Sequence, residues 1–480
     1  MRWPDLPAPA RMRRVALVAP EDVLRDVLVR VAAAAAVEID TGETGSSGRD
    51  GARPGEAARR LARSGQPTPA PVLAARRPDL RLLEQAGRYD LLTGEAQLEA
   101  YAAAAVRRAG AAALAGWIPA ERVGEVAAAL APAGGAVVAL PRPPEADVPT
   151  LLPGHGARAA LEPLVQTYGT VPYADLDPSW PAWASYVLMF GIMFGDAGHG
   201  LLMIGVAAAL RAGWPRWLGP FRAAWPFVGG AGVAATVFGL LYGECFGPTG
   251  LVPVIWISPL SDPVTLLLAA AATGAVLLAG AYTLGAINRW REGGWRSVLY
   301  APTGVAGSCV FLGAALAAAG WHAHHGLLLV VGGGIGLAGL ALAFAGLAAE
   351  AGGGGTGVVQ AAVEVVDLVV RLGSNVVSFT RLAAFGLTHA ALGLLVWEGA
   401  GALWRRGGVL SAAGVAVFVL GTALALSLEA LVAGIQALRL EYYELFSRVF
   451  VTQGRPFRPW HVPAVSTDLE PGPLRACAPA

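Results

Sequence analysis

The sequence predicts a mainly α-helical, polytopic membrane protein with a small α/β domain at its N-terminal end. Of its 480 residues, 55% are hydrophobic and only 14% are charged, far from the composition of an ordinary soluble domain. From about Trp180 to Val451 the chain is a series of apolar runs, whereas the residues before Pro178 are richer in charge and proline. The formal net charge of +1 gives no reason to expect nucleic acid as a partner.

Residues 1–178 are predicted to form a cytoplasmic α/β domain. The segment "RVALVAP" and the following "EDVLRDVLVRVAAAA" predict a strand and a helix, and "GWIPAERVGEVAAALAPAGGAVVAL" predicts a second helix and strand. Between them, residues 41–72 have the composition of a flexible linker, and a helical stretch follows at roughly 79–113. The N-terminus lacks the apolar core and cleavage pattern of a signal peptide.

Eight membrane spans are predicted in a membrane domain over 179–455, followed by a cytoplasmic tail over 456–480. The predicted spans are residues 181–195, 198–212, 222–243, 264–287, 298–319, 326–349, 358–404 and 409–450. The first two are short, and a single helix of about 30 residues is the alternative. Eight spans put the arginines of 211–222 and 289–296 on the cytoplasmic side with both chain ends, as the positive-inside rule favours. Arg405 and Arg406 are exceptions to this rule, because the eight-span topology places them on the opposite side of the membrane.

The last two predicted spans are long, and each carries a polar stripe. About 40 helical residues extend to roughly 60 Å, so these spans are expected to be steeply tilted or to project beyond the membrane. At 100° per residue, one set of polar side chains falls within about 60° of a common direction on the seventh span. These are Asp367, Arg371, Ser374, Ser378, Arg381, Thr388 and His389. On the eighth span, Glu429, Gln436, Tyr443 and Ser447 share a face, with Arg439 to the side.

Ionisable residues inside a membrane normally face a bundle interior or a water-filled cavity and mark ion pathways. A buried ion pair that only locks two helices together is the alternative for any single pair. Two aligned polar stripes favour an ion pathway over a structural ion pair.

Several motifs, in order, resemble the a subunit (also called subunit I) of V-type and A-type rotary ATPases, the 116 kDa subunit family. They are "YGTVPYADLDPSW" (168–180), "FGIMFGDAGHGLLM" (190–203), "FGLLYGECFGP" (238–248), "NVVSFTRLAAFGLTHAAL" (375–392) and "LEALVAGIQALRLEYYELFSRVFVTQGRPFRPW" (428–460). "GWIPAE" fits the second half of the family's soluble domain. The resemblance covers the membrane part nearly end to end and the soluble part more weakly.

The resemblance implies a non-catalytic, ion-conducting stator beside a ring of c subunits, each with one membrane carboxylate. The family arginine matching Arg381 faces that carboxylate, keeps it deprotonated between two half-channels and blocks a direct leak. Arginine suits this role because it keeps its charge. Arg439 matches the family's second arginine, Glu429 and His389 match half-channel residues, and Asp367 matches a carboxylate near the cytoplasmic half-channel.

Other residues and partners are expected by the same resemblance. Further half-channel lining is expected from Ser374, Ser378, Gln436, Tyr443 and Glu244, whereas Asp196 and His199 are expected to be structural polar groups at a tight turn. Implied partners are the c-subunit ring, peripheral-stalk subunits, a central-stalk d-type subunit and the lipid of a prokaryotic plasma membrane. No cofactor is expected. The three cysteines are too widely spaced for a metal or disulfide framework, and "HAHH" at 322–325 is expected to be an exposed loop rather than a metal site.

The soluble domain departs from the family pattern, which has a long coiled-coil arm ending in two α/β lobes. No sustained heptads are found before residue 178, so the arm is expected to be truncated and the domain compact. Two other functions stay open: an ion-coupled secondary transporter, although no internal repeat is found, and a non-conducting assembly scaffold, which both arginines argue against. The chain has no phosphate-binding loop motif. The choice between H⁺ and Na⁺ is expected to lie in the ring.

Overall fold

The computed structural model describes residues 9–40, 54–143, 146–152, 161, 165, 167–300, 304–352, 354–449 and 454–465. The chain divides into two compact units. We call Ala10–Leu151 with Gly454–Ala480 the α/β unit, and Met1–Pro9 with Leu152–Gln453 the helical unit. The division therefore lies about 27 residues before the predicted boundary at 178, and the C-terminal residues group with the α/β unit.

The α/β unit is built on an antiparallel sheet covered by helices. Its strands are β1 (Met12–Pro20), β2 (Glu38–Ile39), β3 (Leu73–Ala74), β4 (Val106–Arg108), β5 (Ala111–Pro119), β6 (Ala136–Ala139), β7 (Pro149–Thr150), β8 (Arg455–Pro456) and β9 (Ala464–Val465). Its helices are α1 (Leu24–Ala34), α2 (Glu56–Ser64), α3 (Leu80–Gln85), α4 (Tyr89–Ala104) and α5 (Val123–Leu130). The main sheet has the order β2-β5-β1-β6, with β4 beside β5. Alternate residues of β1, such as Val15 and Leu17, are buried with Leu28 and Val31 of α1, which is the period of a half-buried strand.

The predicted C-terminal tail, as far as it is described, packs into this unit. Strand β8 pairs in parallel with β7, and β9 pairs in parallel with β3. Trp460 is buried, donates its backbone N–H to Val37 O at 2.9 Å, and has its ring centroid 4.7 Å from that of Tyr101. Arg455 lies 2.8 Å from Glu38. The tail is thus part of the α/β core.

The predicted flexible linker over 41–72 is wrong for residues 56–64, which form α2; residues 41–53 lie outside the described residues. The composition of this stretch predicted a linker, although residues 56–64 form an amphipathic helix. Ala57 is buried, its backbone N–H donates to Glu99 Oε2 at 3.0 Å, and Arg60 is paired with Glu56 and with Glu84 at 2.8 and 2.6 Å.

The helical unit confirms the prediction of a polytopic helical membrane protein. Its helices are α6 (Ser179–Met193), α7 (Ala197–Ala212), α8 (Trp225–Tyr242), α9 (Pro263–Tyr300), α10 (Val305–His322), α11 (Gly326–Glu350), α12 (Gly354–Ser378), α13 (Thr380–Trp404), α14 (Val409–Leu440) and α15 (Ser447–Val449). Among the described residues, six helical segments are long and apolar enough to cross a membrane. They are Arg216–Tyr242, Pro263–Arg291, Val305–His322, Gly326–Ala349, Gly354–Trp404 and Val409–Val449. Helices α6 and α7, at 15 and 16 residues, are separate, so residues 181–212 do not form one helix.

Glycines allow neighbouring helices of this unit to lie in close contact. A Cβ atom on Gly200 of α7 would lie 2.7 Å from Gly232 O of α8, and one on Gly313 of α10 would lie 2.3 Å from Gly336 N of α11. Small residues at helix interfaces are characteristic of membrane bundles. This packing fixes α7 against α8 and α10 against α11.

Both long predicted spans are irregular in the structure. The seventh is two helices, because α12 ends at Ser378 and α13 begins at Thr380. Phe379 between them is fully buried and lies against Gly274 of α9. In the eighth, a π-helical turn over Glu441–Phe446 follows α14. Single π-helical turns occur often at functional sites.

Candidate functional site

The polar centre of the helical unit is a histidine–carboxylate pair between two long helices. Nδ1 of His389 on α13 is in direct contact with Oε2 of Glu429 on α14. The histidine is buried and the glutamate is nearly so. The second oxygen, Oε1, is buried and has no hydrogen-bond partner among the described residues. The pair is therefore positioned by two helices and still has an unused acceptor.

A cavity of about 180 Å³ lies beside this pair. Its polar lining is Thr388, His389 and Glu429, and its apolar lining is Met193, Phe194, Phe385, Leu428, Val432 and Ala433. Since a water molecule occupies about 30 Å³ in the liquid, the cavity has room for a few waters. Water there would reach both members of the pair.

Asp196 and His199 lie close to His389, at the start of α7. Asp196 is the N-cap of that helix: its Oδ1 accepts the backbone N–H of His199 at 2.8 Å and that of Phe246 at 3.0 Å, and its Oδ2 accepts that of Gly247 at 2.7 Å. The carboxylate thus fixes the α6–α7 turn to the loop after α8. These are contacts of a structural group, although the structural role of both residues stays a prediction.

Glu244 is buried in the same loop. Its backbone oxygen accepts the N–H of Ala197 at 2.9 Å, and its charge interacts with those of Asp196 and Glu429. Glu244 is therefore close enough to both carboxylates to be affected by them electrostatically. Whether Glu244 lines an ion path stays a prediction.

Arg381 of α13 faces a carboxylate that the sequence analysis did not identify. Its Nη2 lies 3.7 Å from Oε1 of Glu444, and its Nε donates to Ser378 O at 3.1 Å. With its amide oriented to satisfy its neighbours, Asn375 donates to Glu444 Oε2 at 2.8 Å and accepts from Arg448 Nη2 at 2.6 Å. Glu444 is thus shared between Arg381 and Asn375. Nη1 of Arg381 is buried and has no hydrogen-bond partner in the described part of the chain.

The other residues of the two stripes are dispersed. Asp367 and Arg371 form an ion pair of 2.6 Å on their own helix, with both side chains largely exposed. Ser374, Arg439 and Tyr443 are exposed as well, whereas Ser378 and Gln436 are half-buried. Arg439 is close enough to Arg381 for the two charges to interact. The run 322–325 is exposed, as predicted.

Glu441, a second carboxylate that the sequence analysis missed, is fully buried in the π-helical turn. Its Oε2 accepts a hydrogen bond of 2.7 Å from the Ser185 hydroxyl of α6. Glu441 and Glu444 are both acidic residues in an apolar segment, which is the signal that could have identified them.

Comparison with known proteins relates the chain to membrane subunits of ATP synthases. Residues 104–214 match the model of the V-type ATPase 116 kDa subunit family. The A-type ATP synthase subunit I of Thermococcus kodakarensis is 26% identical over 342 residues, which are 68% of this chain and 49% of that protein. The subunit I of Pyrococcus horikoshii is 26% identical over 375 residues, 74% of this chain and 54% of that protein. That of Archaeoglobus fulgidus is 34% identical over 142 residues, 28% and 19% of the two chains. The chain spans about half the length of the relatives that it matches over most of its own length.

Proposed function

We propose that this chain, which belongs to the V-type ATPase 116 kDa subunit family, is the membrane stator subunit of a rotary A-type or V-type ATPase. In this function the chain hydrolyses nothing itself. It provides two half-channels, and Arg381 lies between them against the carboxylates of a rotating c-subunit ring.

The observation that carries the proposal is the incomplete pairing of Arg381. The guanidinium is partly buried, and the carboxylate that it contacts among the described residues, Glu444, lies 3.7 Å away and is shared with Asn375. Nη1 of Arg381 has no hydrogen-bond partner in the described residues. A half-buried cation with a spare donor group is stabilised by a further anion. A ring carboxylate supplies that anion and is itself stabilised in its charged form.

The His389–Glu429 pair and its cavity are the proposed route by which a proton reaches or leaves the ring. Imidazole suits this step, since it accepts a proton on one nitrogen while releasing one from the other. Glu429 keeps one unused oxygen, and the cavity has room for water between the groups. Gln436 and Glu244 are proposed to line the same route, and Asp367, Ser374, Ser378 and Tyr443 to line the path from the other side.

The identity of the partners tests the proposal most simply. The tagged chain is purified with its partners under mild detergent and reconstituted into vesicles. The proposal expects a small membrane subunit with one intramembrane carboxylate to co-purify, together with peripheral-stalk and central-stalk subunits, and expects ATP to drive ion flux. Vesicles that contain the chain alone are the control. Ion-coupled solute uptake by the chain alone would instead make it a secondary transporter.

A further inference from the structure

We propose that Asp196, His199 and His389 form a binding site for one divalent transition-metal ion, for which Zn²⁺ is the best fit. Each residue offers one ligand atom, and these atoms all lie within 4.8 Å of one another. All three side chains are buried. Two of them lie at the start of α7 and the third lies on α13, so the cluster joins elements far apart in sequence.

The strongest indication of a ligand is His199. The residue is only 3% exposed, and neither of its ring nitrogens has a hydrogen-bond partner among the described residues. Its Nδ1 lies 3.4 Å from Asp196 Oδ1, but without hydrogen-bond geometry. Buried polar groups without partners are rare and costly in native proteins. A metal ion bound to one imidazole nitrogen of His199 would give that nitrogen a partner.

His389 and Asp196 are held in place by other contacts, and each can still offer a ligand atom. Glu429 occupies Nδ1 of His389, which leaves Nε2 as the nitrogen available to a metal. A carboxylate that holds the second nitrogen of a ligating histidine is a common feature of metal sites. Asp196 accepts three backbone N–H groups, and a carboxylate has about four acceptor positions. One position is thus left for an ion.

The surroundings favour a cation in spite of one opposing element. The N-terminus of α7 carries the positive end of a helix dipole, which disfavours a cation. The carboxylate of Asp196 belongs to the cluster itself and that of Glu429 contacts His389, so negative charge at the site offsets the helix dipole. The rings of Phe194 and Phe246 lie 5.6 and 5.5 Å from that of His199 and limit the access of water.

The ligand set selects the class of ion. Two imidazoles and one carboxylate suit zinc and its neighbours, whereas calcium and magnesium prefer oxygen ligands alone. Metal–ligand bonds of about 2.1 Å at tetrahedral angles separate ligand atoms by roughly 3.4 Å. The three ligand atoms lie within 4.8 Å of one another, so binding would draw them together by at most roughly 1.4 Å. Three protein ligands leave a fourth position for water.

Metal binding would have a direct consequence for ion flux. An ion on Nε2 of His389 occupies the nitrogen that must take up or release a proton while Glu429 holds Nδ1. Bound Zn²⁺ is therefore expected to inhibit transport, and this consequence rests on the proposed function. The binding itself does not rest on it.

The test measures metal binding by the full chain in detergent, after removal of metal with a chelator. The starting protein carries alanine at His322, His324 and His325, so that the exposed histidine run cannot contribute. Equilibrium dialysis is expected to give one Zn²⁺ per chain, and Co²⁺ is expected to give the absorption of a tetrahedral site without a thiolate band. The variants His199→Gln, which removes the imidazole, and Asp196→Asn, which removes the carboxylate charge, should each weaken binding by at least about 100-fold, more than the loss of a supporting contact costs. His461→Ala, in the α/β unit, is the control and should bind normally.

Zinc-edge X-ray absorption of the protein with native His199 keeps the test decisive even if a variant does not fold. It should show two imidazole ligands and oxygen. The proposal is overturned if the starting protein, with alanine at the three exposed histidines, binds no stoichiometric zinc. It is also overturned if a folded His199→Gln variant binds zinc normally, or if sulfur ligates the ion. None of these results would affect the proposed stator function, which the partners and ATP-driven flux test separately.

Discussion

Arg381 of α13 and Glu444 of the π-helical turn face each other with 3.7 Å between Nη2 and Oε1. The contact is longer than a strong ion pair, in which these atoms approach to about 2.8 Å. Asn375 holds the other oxygen of Glu444 at 2.8 Å. The carboxylate therefore orients Arg381 without fully neutralising it, which leaves the guanidinium available to another anion.

Glu444→Gln is expected to lower the stability of the helical unit. The change removes the only carboxylate that the described residues place within 4 Å of Arg381, and a buried polar group left without its partner costs about 1–3 kcal/mol. Thermal unfolding of the detergent-purified protein measures the loss. Glu364→Gln, at a carboxylate that bonds Gln360 on the surface of its own helix, is the matched control. Equal unfolding temperatures of the two variants would contradict the role of Glu444.

Glu429→Gln is expected to reduce ion flux in part and to shift its pH dependence. The substitution keeps the shape of the side chain but removes the charge that contacts His389, so an imidazolium there loses its stabilising partner. Flux is expected to be only partly lost, because the adjacent cavity has room for water that would bypass one group. The measurement is ATP-driven flux between pH 5 and pH 9, a range about two units to each side of neutrality that includes the pH at which an ordinary histidine titrates. Glu398→Gln is the control. A profile equal to that of the unchanged protein would make Glu429 structural.

Ser185→Ala is expected to destabilise the contact between α6 and the π-helical turn. The Ser185 hydroxyl donates to the fully buried carboxylate of Glu441, and its removal leaves that group with an unpaired oxygen at a cost of about 1–3 kcal/mol. Ser427→Ala is a close control, since that hydroxyl is exposed and bonds only to backbone oxygens of its own helix. In thermal unfolding, Ser185→Ala should lower the unfolding temperature more than Ser427→Ala does. If both unfold alike, the hydrogen bond carries no stability.

Trp460→Ala is expected to destabilise the α/β unit by about 3–5 kcal/mol, the range for truncating a buried tryptophan. The ring packs against Tyr101, and its Nε1–H donates to Gln97 Oε1 at 3.3 Å. Limited proteolysis, with sites mapped by mass spectrometry, should show faster cleavage between residues 10 and 143. The neighbouring exposed His461→Ala should cleave at the original rate. Unchanged protection in the Trp460 variant would mean that the C-terminal segment is peripheral.

Several regular helices of the membrane domain could be predicted closely from the sequence because each coincides with an apolar run. The predicted spans 198–212 and 326–349 correspond to Ala197–Ala212 and Gly326–Glu350. The break at Phe379 could not be predicted, since neither glycine nor proline marks it. It depends on the contact of Phe379 with Gly274 on another helix.

The polar stripe on the eighth span was predicted with a regular helical period, which fails beyond Leu440. A π-helical turn adds one residue to the cycle and rotates every following side chain by about 100°. Tyr443, predicted to share the face of Glu429, is therefore 71% exposed, while Glu444 is buried. Glu429 precedes the turn, and its side chain contacts His389 of the neighbouring helix; the role of both residues stays a prediction.

The pairing of the C-terminal segment with the α/β unit also could not be predicted from the sequence. Strands β8 and β9 have two residues each, too few for any alternation to show, and their partners are more than 300 positions away. The truncated arm stays a prediction. Among the described helices of the α/β unit, the longest is α4 with 16 residues.

The central claim is that Arg381 holds the ring carboxylate during ion transfer, and ATP-driven ion flux by the reconstituted complex tests it most directly. Arg381→Ala should assemble with its partners but give no flux, because neutral alanine cannot stabilise a charged carboxylate in a low-dielectric site. Arg406→Ala, an exposed arginine at the end of α13, is the control and should pump normally. Normal ATP-driven flux by the Arg381→Ala complex would contradict the account.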